Sequence, residues 1–419
     1  MLDILRRHAG GHVRAMGSGH SWSDAAVSDE VSLDLSLLNG IHLKENHVRA
    51  GAGCRLQQLL NVLRRWQGRT LPTLGAIKRQ TISGAISTGT HGSGKPGLSH
   101  FVAGLRVAAY DPASGEPRIF EYRGGETLEA ARCAVGCAGI ILSVDLPTVP
   151  LYRIRETVLH LADLAQVLAR IEACPLTQFA FLPYRWDYLA FERASAGERR
   201  LSPVEWLRAM LFRLYHFLWV DLMAHLLVKL TLVLGSRAQI LFQKLTPRAA
   251  IKNCTRLDDA EHVLTLGHHY FRHEEMELFV PASKLRPALE LLRRETEAFA
   301  GRSEYTQHYP FLVRRVLPED TLISMAAGAT EPWYSISVFT YFRPARRAGY
   351  YAFCAALARA MHSAFGARLH WGKHFPLGAA EMARAHPRLE RFRQLCRASD
   401  PRGVFCNAFA ERVLGLQRV

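Results

Sequence analysis

The sequence lacks paired C-x-x-C cysteines. Its eight cysteines, Cys54, Cys133, Cys137, Cys174, Cys254, Cys354, Cys396 and Cys406, are scattered through 419 residues without a C-x-x-C set. That spacing argues against a zinc site and, in a chain this long, reads as reduced intracellular thiols rather than a disulfide framework. A secretory n-region with a following apolar run is also missing, so export is not expected. Acidic residues are scarce relative to basic ones, 37 against 53, for a net charge of +16, a balance that favours anionic partners. Yet the basic residues form no single run, and there is no zinc-finger, RNP or P-loop pattern, so nucleic acid is not the expected partner. A solvated basic surface and an anionic membrane surface both remain open. The hydrophobic fraction of 49% and charged fraction of 21% are ordinary for a globular protein, and the length suits two domains.

A dinucleotide fingerprint is missing as well. Val13 to Met16 reads as a strand running into Gly17-Ser18-Gly19-His20-Ser21, but position 22 is Trp22 where a third glycine would stand. The following Val31–Leu35 alternates like a strand rather than a helix, so a Rossmann unit is excluded and a tight strand-to-strand loop carrying His20 is expected. Residues 80–94 lack lysine and arginine altogether, although six glycines fall between positions 75 and 97. Thr81, Ser83, Gly84, Ser87, Thr88, Gly89, Thr90, His91 and Gly92 lie there. Such a segment can bring many backbone N–H groups and hydroxyls against a phosphate or pyrophosphate without cationic side chains; close-packed turns without a ligand are the alternative. It is not a P-loop, because Pro96 follows Gly94-Lys95.

Further strands are expected at 48–50, 102–110, 118–122, 140–146, 178–182, 275–280, 312–316, 322–327 and 335–341. Helices are expected after Gly53, with Leu56, Leu59, Leu60 and Leu63 on one face, and at 126–134, 284–300 and 347–365. Pro147 and Pro150 are expected to mark a domain boundary. From Trp206 to Leu245 runs an apolar segment interrupted by Arg208, Arg213, Asp221, Lys229 and Arg237. It never reaches the roughly 20 clean residues of a spanning helix. Either it is a buried helical pair or a basic amphipathic surface that lies on a membrane.

With these stretches read, the chain resembles the aldonolactone oxidase and alditol oxidase group of the vanillyl-alcohol-oxidase-type flavoproteins, whose FAD-binding domain is of the PCMH type. The features that carry the resemblance are Gly17 to Ser21, Gly84 to Gly94, His370-Trp371-Gly372-Lys373, and Asp400-Pro401 followed by Phe405 and Asn407. They occur in the family's order and span nearly the whole chain. The resemblance implies an α+β fold: a two-lobed FAD-binding domain over 1–150, a substrate-covering domain over 151–385 with the apolar helical insertion, and a C-terminal segment, 386–419, returning toward the first. It implies FAD attached covalently through His20, a pyrophosphate and ribityl cradle at 81–94, and Gly139, Ile140 and Ile141 along the adenosine end. It further implies hydride transfer from a CH–OH carbon of a small alcohol or lactone to the flavin, with Lys373, Arg314 and His370 in the active site. Oxygen or a quinone would be the acceptor, in a cytoplasmic protein peripheral to the inner face of a membrane.

Two departures stand out. The family's Glu-x-Arg reads Leu312-Val313-Arg314 here; a leucine accepts no proton and binds no sugar hydroxyl, which points to a less polar substrate, to another group serving, or to a flavin-binding protein with altered or lost catalysis. The segment before Gly17 is also about one strand and one helix shorter than the family pattern.

Overall fold

The computed structural model describes residues 1–249, 252–267, 272–341 and 347–417. The strand expected at the start is present as Val13–Met16, and it pairs in parallel with Val31–Asp34. Because the two strands are parallel, residues 17–30 form a crossover containing a short 3₁₀ turn at Asp24–Ala26 rather than a tight strand-to-strand loop. A five-stranded antiparallel sheet follows in the order Ile41–Leu43, His47–Gly51, Ile140–Pro147, Gly104–Tyr110, Pro117–Tyr122. The helix Leu56–Gln67 buries Leu56, Leu59, Leu60 and Leu63 and ends where Gly68 turns left-handed at φ 61°. These elements share one core with Val404 and Phe405 of the C-terminal segment.

The rest of the chain is built on an eight-stranded antiparallel sheet. Its order is Thr255–Asp259, Arg153–Leu161, Tyr188–Ser195, Gln178–Phe181, Phe311–Val316, Trp333–Tyr341, His273–Pro281, Arg368–Leu369. One face carries Met276, Leu278, Val280, Phe311 and Val313 into a core with the helices Leu164–Ala173, Leu285–Gly301 and Arg347–Phe365. Strand alternation therefore turns Glu275, Glu277, Leu312 and Arg314 to the opposite face, where they line a cavity.

One further expectation needs correction, and two open readings become definite. Leu322 to Ala327 is not a strand; it is a turn-rich segment, held by Ser324 N–H donating to Thr321 Oγ1 at 3.1 Å, whose apolar residues are buried. An apolar run without alternation marked core, not sheet. The Gly- and hydroxyl-rich stretch contains a one-and-a-half-turn helix, Ile82–Ser87, capped by Thr81. The 206–245 segment is helical, as Pro203–Leu234 and Ser236–Ala249, but it is not a buried pair, because most of its large apolar residues are exposed.

Candidate active site

The cavity, about 720 Å³, lies between the crossover loop, the 74–93 segment and the open face of the eight-stranded sheet. Gly17, Ser18, Gly19, His20 and Ser21 form one wall. Thr81, Ser83, Gly84, Ser87, Thr88, Thr90, His91 and Gly92 form another, with Gly139 and Ile141 beside them. Gly89 and Ile140 do not line it. A Cβ on Gly89 would stand 2.8 Å from Met325 Cε, so that glycine fits the chain against the core. Ile140 is 1% exposed and, by strand alternation, faces away from the cavity that Gly139 and Ile141 reach.

The crossover loop is fixed by contacts far along the chain. Ser21 Oγ and Trp22 N–H both donate to Gly372 O, at 3.3 and 3.0 Å, and Ser23 Oγ donates to Trp371 O at 2.6 Å. Trp22 Nε1 donates to His273 O at 2.9 Å. The C-terminal motif fixes the other end: Asn407 Nδ2 donates to Asp24, Ala25 and Val27 carbonyls, and Asp400 accepts from Val404 and Phe405 N–H. Asn407 therefore holds the loop that carries His20, and Asp400 holds the C-terminal turn before Asn407, neither lining the cavity. Gly17 is required by close approach, since a Cβ there would lie 2.6 Å from Thr81 Oγ1. Gly19, at φ 68°, needs glycine's left-handed freedom.

One end of the cavity is charged. Lys373 Nζ is paired with Glu275 and sits 4.4 Å from the centre of the Trp22 ring. His91 Nε2 is 3.1 Å from Glu277 Oε1, while its Nδ1 faces Gly92 O at 2.9 Å. Burial pushes the Glu275 carboxyl up, but Lys373 and a hydrogen bond from His273 outweigh it and hold it at about 2. Glu277 is likewise held well below the usual carboxylate range against its burial, chiefly by His91. Burial drives His370 down to about 3, so it is neutral, and its Nδ1 accepts the Gly372 N–H at 3.0 Å. Donor atoms of His91, Glu277 and His370 lie within 4.8 Å of one another. Trp371, fully buried, stacks on Phe375 at 5.2 Å and donates to Ile323 O at 2.8 Å; it anchors the turn that presents Lys373.

The charge ends abruptly across the sheet. Register places Ala180, Leu312, Ser337 and Glu277 in one cross-strand row, so Leu312 stands two strands from Glu277, roughly 10 Å away. Phe191, Val158, Phe339, Phe212 and Phe217 extend the apolar wall around Leu312. Arg314, two residues along, donates from Nε to Gln178 Oε1 at 3.3 Å. Farther out, Glu156 binds Arg193 at 2.7 Å and Arg256 at 2.8 Å. Burial raises its carboxyl, yet the two guanidiniums keep it below the ordinary range.

Glu275, Glu277, His273, Gln178 and the Glu156 cluster were not legible as site residues. Their one signal was charge at every second position, His273-x-Glu275-x-Glu277, which in an isolated strand reads as a solvent face.

The cavity suits FAD. Thr81 to Ser93 offers hydroxyls and backbone N–H groups without a carboxylate side chain, Ser18 Oγ is buried without a protein partner, and the volume lies in the range of cofactor sites. The fold and this cavity define a PCMH-type flavoprotein oxidoreductase. Residues 3–112 match the family described as FAD binding domain, and residues 144–413 match D-arabinono-1,4-lactone oxidase. The chain belongs to the D-arabinono-1,4-lactone oxidase family and is an FAD-dependent oxidoreductase of CH–OH donors. It is 40% identical to a long-chain alcohol oxidase from an uncultured marine euryarchaeote, over 99% of this chain and 92% of that one. It is 27% identical to L-gulono-1,4-lactone dehydrogenase of Mycobacterium tuberculosis, over 99% and 94% of the chains, and 25% identical to L-gulonolactone oxidase of Bos taurus, over 98% and 91%. Among solved structures, cholesterol oxidase from Brevibacterium sterolicum matches with a TM-score of 0.74 at 13% identity, over 98% and 92%, a likeness of fold alone.

Proposed function

We propose that the protein is an alcohol oxidase that converts a long-chain aliphatic alcohol to its aldehyde. Residues 1–150 would hold FAD, residues 151–385 would cover it, and residues 386–419 would close back on the first part. Per turnover the alcohol loses a hydride from its carbinol carbon and a proton from its hydroxyl, and oxygen takes both to become hydrogen peroxide. FAD, when bound, supplies the hydride acceptor.

The observation that carries the substrate is Leu312. It stands in an apolar wall with Ala180, Val158 and Phe191, where the family's glutamate would face a sugar hydroxyl. An alkyl chain gains there what a polyol would lose, because its hydroxyls would be left without partners. The 40% identity to a long-chain alcohol oxidase points the same way, and the names of that relative and of the gulonolactone oxidases support oxygen as acceptor.

The other roles follow from placement. Arg314 orients the substrate oxygen from the strand beside Leu312. Lys373, between Glu275 and the Trp22 ring, supplies fixed positive charge where the cofactor gains electrons. His370 is a positioning residue, closing the turn that carries Lys373 through its bond to Gly372 N–H. His20 carries FAD covalently, since the loop around it is held rigid on the cavity wall and imidazole is a competent nucleophile toward an activated flavin methyl. The exposed apolar helix Pro203–Leu234 rests on a membrane surface.

The test is anaerobic mixing of the purified protein with primary alcohols, polyols and L-gulono-1,4-lactone. Bleaching of the visible flavin band by long alcohols is expected; bleaching only by the lactone, or by none of them, overturns the reading. Intact-protein mass spectrometry should show FAD attached, and His20→Ala should release it on denaturation.

A further inference from the structure

The helix Pro203–Leu234 has two unlike faces. Phe212, His216 and Phe217 line the cavity. Leu211, Leu214, Leu218, Leu222, Leu226 and Leu230 point away, each between 41% and 52% exposed. Among the described residues, fourteen large apolar side chains from Val204 to Leu234 are exposed. Together they present on the order of 1,000 Å², against the roughly 300–600 Å² of the largest patch on most soluble monomers. Trp206 and Trp219 are among them, the residue type that settles at lipid headgroups.

Charge identifies the occupant. From residue 199 to 252 nine basic residues stand against two acidic ones, Glu205 and Asp221. Glu205 is already tied to Arg199 at 2.5 Å. An apolar stripe on a helix that also exposes Arg208 and Lys229, followed by exposed Arg237, Lys244 and Arg248, matches an anionic bilayer surface, and it fits a second copy of the same basic chain poorly. The helix lies along that surface rather than crossing it. Its 32 residues include Arg208, Arg213 and Lys229, and one side is committed to the cavity.

We infer that the cavity is loaded from the lipid: the helix lies in an anionic leaflet, and its inner face at Phe212, His216 and Phe217, with Leu266 beside it, is the portal through which a membrane-dissolved alcohol reaches the active site. This rests on the long-chain alcohol reading. Each methylene moved from water to lipid shifts partitioning by about fourfold, so a long-chain alcohol resides almost wholly in the bilayer. An enzyme whose cavity opened only to water would meet little of it.

The experiment compares the FAD-loaded protein with its Leu214→Glu/Leu218→Glu/Leu226→Glu variant, three changes on the exposed face that do not line the cavity. Vesicles of phosphatidylcholine with and without phosphatidylglycerol serve as the surface, carrying hexadecanol; hexanol serves as the water-soluble substrate. The parent should sediment with the anionic vesicles, and its rate on hexadecanol should follow the alcohol's mole fraction in the lipid at fixed total amount. The variant should lose about 100-fold or more in vesicle affinity and at least about tenfold in hexadecanol turnover, while keeping its flavin spectrum and its rate on hexanol. Equal hexadecanol rates for the two proteins overturn the inference, as does a parent that stays in the supernatant. So does a lipid-independent dimer that the variant dissociates. Sedimentation needs no turnover, so a protein that binds vesicles but is bleached by neither alcohol refutes the substrate reading instead.

Discussion

Replacing Leu312 by glutamate restores the family's residue and is the sharpest perturbation of substrate choice. The side chain lies between Ala180 and Ser337 on a wall that also holds Val158, Phe191 and Phe339. An alkyl chain against it would lose about 1.5–3 kcal/mol of apolar contact. A carboxylate facing that chain without a partner would add about 1–3 kcal/mol. Arg314, two residues along on the same face, can pair with the new carboxylate and offset part of the second cost. The net penalty is about 2–4 kcal/mol, or roughly 30- to 1,000-fold in kcat/KM at about 1.4 kcal/mol per tenfold. The assay is anaerobic stopped-flow reduction with decanol and with a polyol, comparing Leu312→Glu with the volume-conserving Leu312→Met, whose loss should stay below about tenfold. Flavin content and melting temperature show whether the fold is intact. A fall of less than about threefold for Leu312→Glu, with both controls intact, would refute the placement of the chain against Leu312.

The charged end and the buried histidines give two further predictions. Lys373→Met should lower kcat by about 100- to 1,000-fold, the scale of a lost charge-stabilising donor, and should lower stability because the buried Glu275 keeps His273 but loses its lysine partner; adding Glu275→Gln should recover the melting temperature but not turnover, and recovery of both would contradict the role given to Lys373. His370, pushed down to about 3, and His386, pushed well below its ordinary value, are both depressed by burial. The unfolded chain takes up protons near pH 6.5 that these folded-state histidines refuse, so their contribution is full above that pH and is lost as pH falls toward 3. Each should subtract about 1 kcal/mol per pH unit below 6.5. Asp400, raised to about 6 by burial, gains stability as pH falls through 6 and offsets roughly one histidine, and Glu275 and Glu277 begin to matter only below their unfolded value near 4.5; a melting temperature that rises from pH 6.5 to 5 would contradict the neutral histidines.

Much of the fold was legible because it repeats. Leu56, Leu59, Leu60 and Leu63 share a helix face, and the 104–110 and 117–122 strands flank a turn with Asp111, Pro112 and Gly115. The two ends of the site were legible as motifs, Gly17 to Ser21 and His370 to Lys373, but not their contact, because a bond from Ser21 Oγ to Gly372 O spans 351 residues. Glu275 and Glu277 were hidden for a related reason: alternation says that two residues share a face, not what covers it. The same limit left the 206–245 helices open between core and membrane, since the outer leucines and the inner Phe212 and Phe217 are equally apolar in sequence. Ile140 shows the reverse case, in which period-two alternation from Gly139 and Ile141 would have turned it away from the cavity.

The central claim is that the donor is an alcohol carried by an apolar wall, and the measurement closest to it is kcat/KM across a homologous series of primary alcohols, with L-gulono-1,4-lactone alongside. Each methylene buried against Leu312, Phe191 and their neighbours should add up to about 0.8 kcal/mol, close to fourfold per carbon, until the cavity is filled, and the lactone should fall far below the best alcohol. A flat series, with the lactone equal to or better than every alcohol, would contradict it.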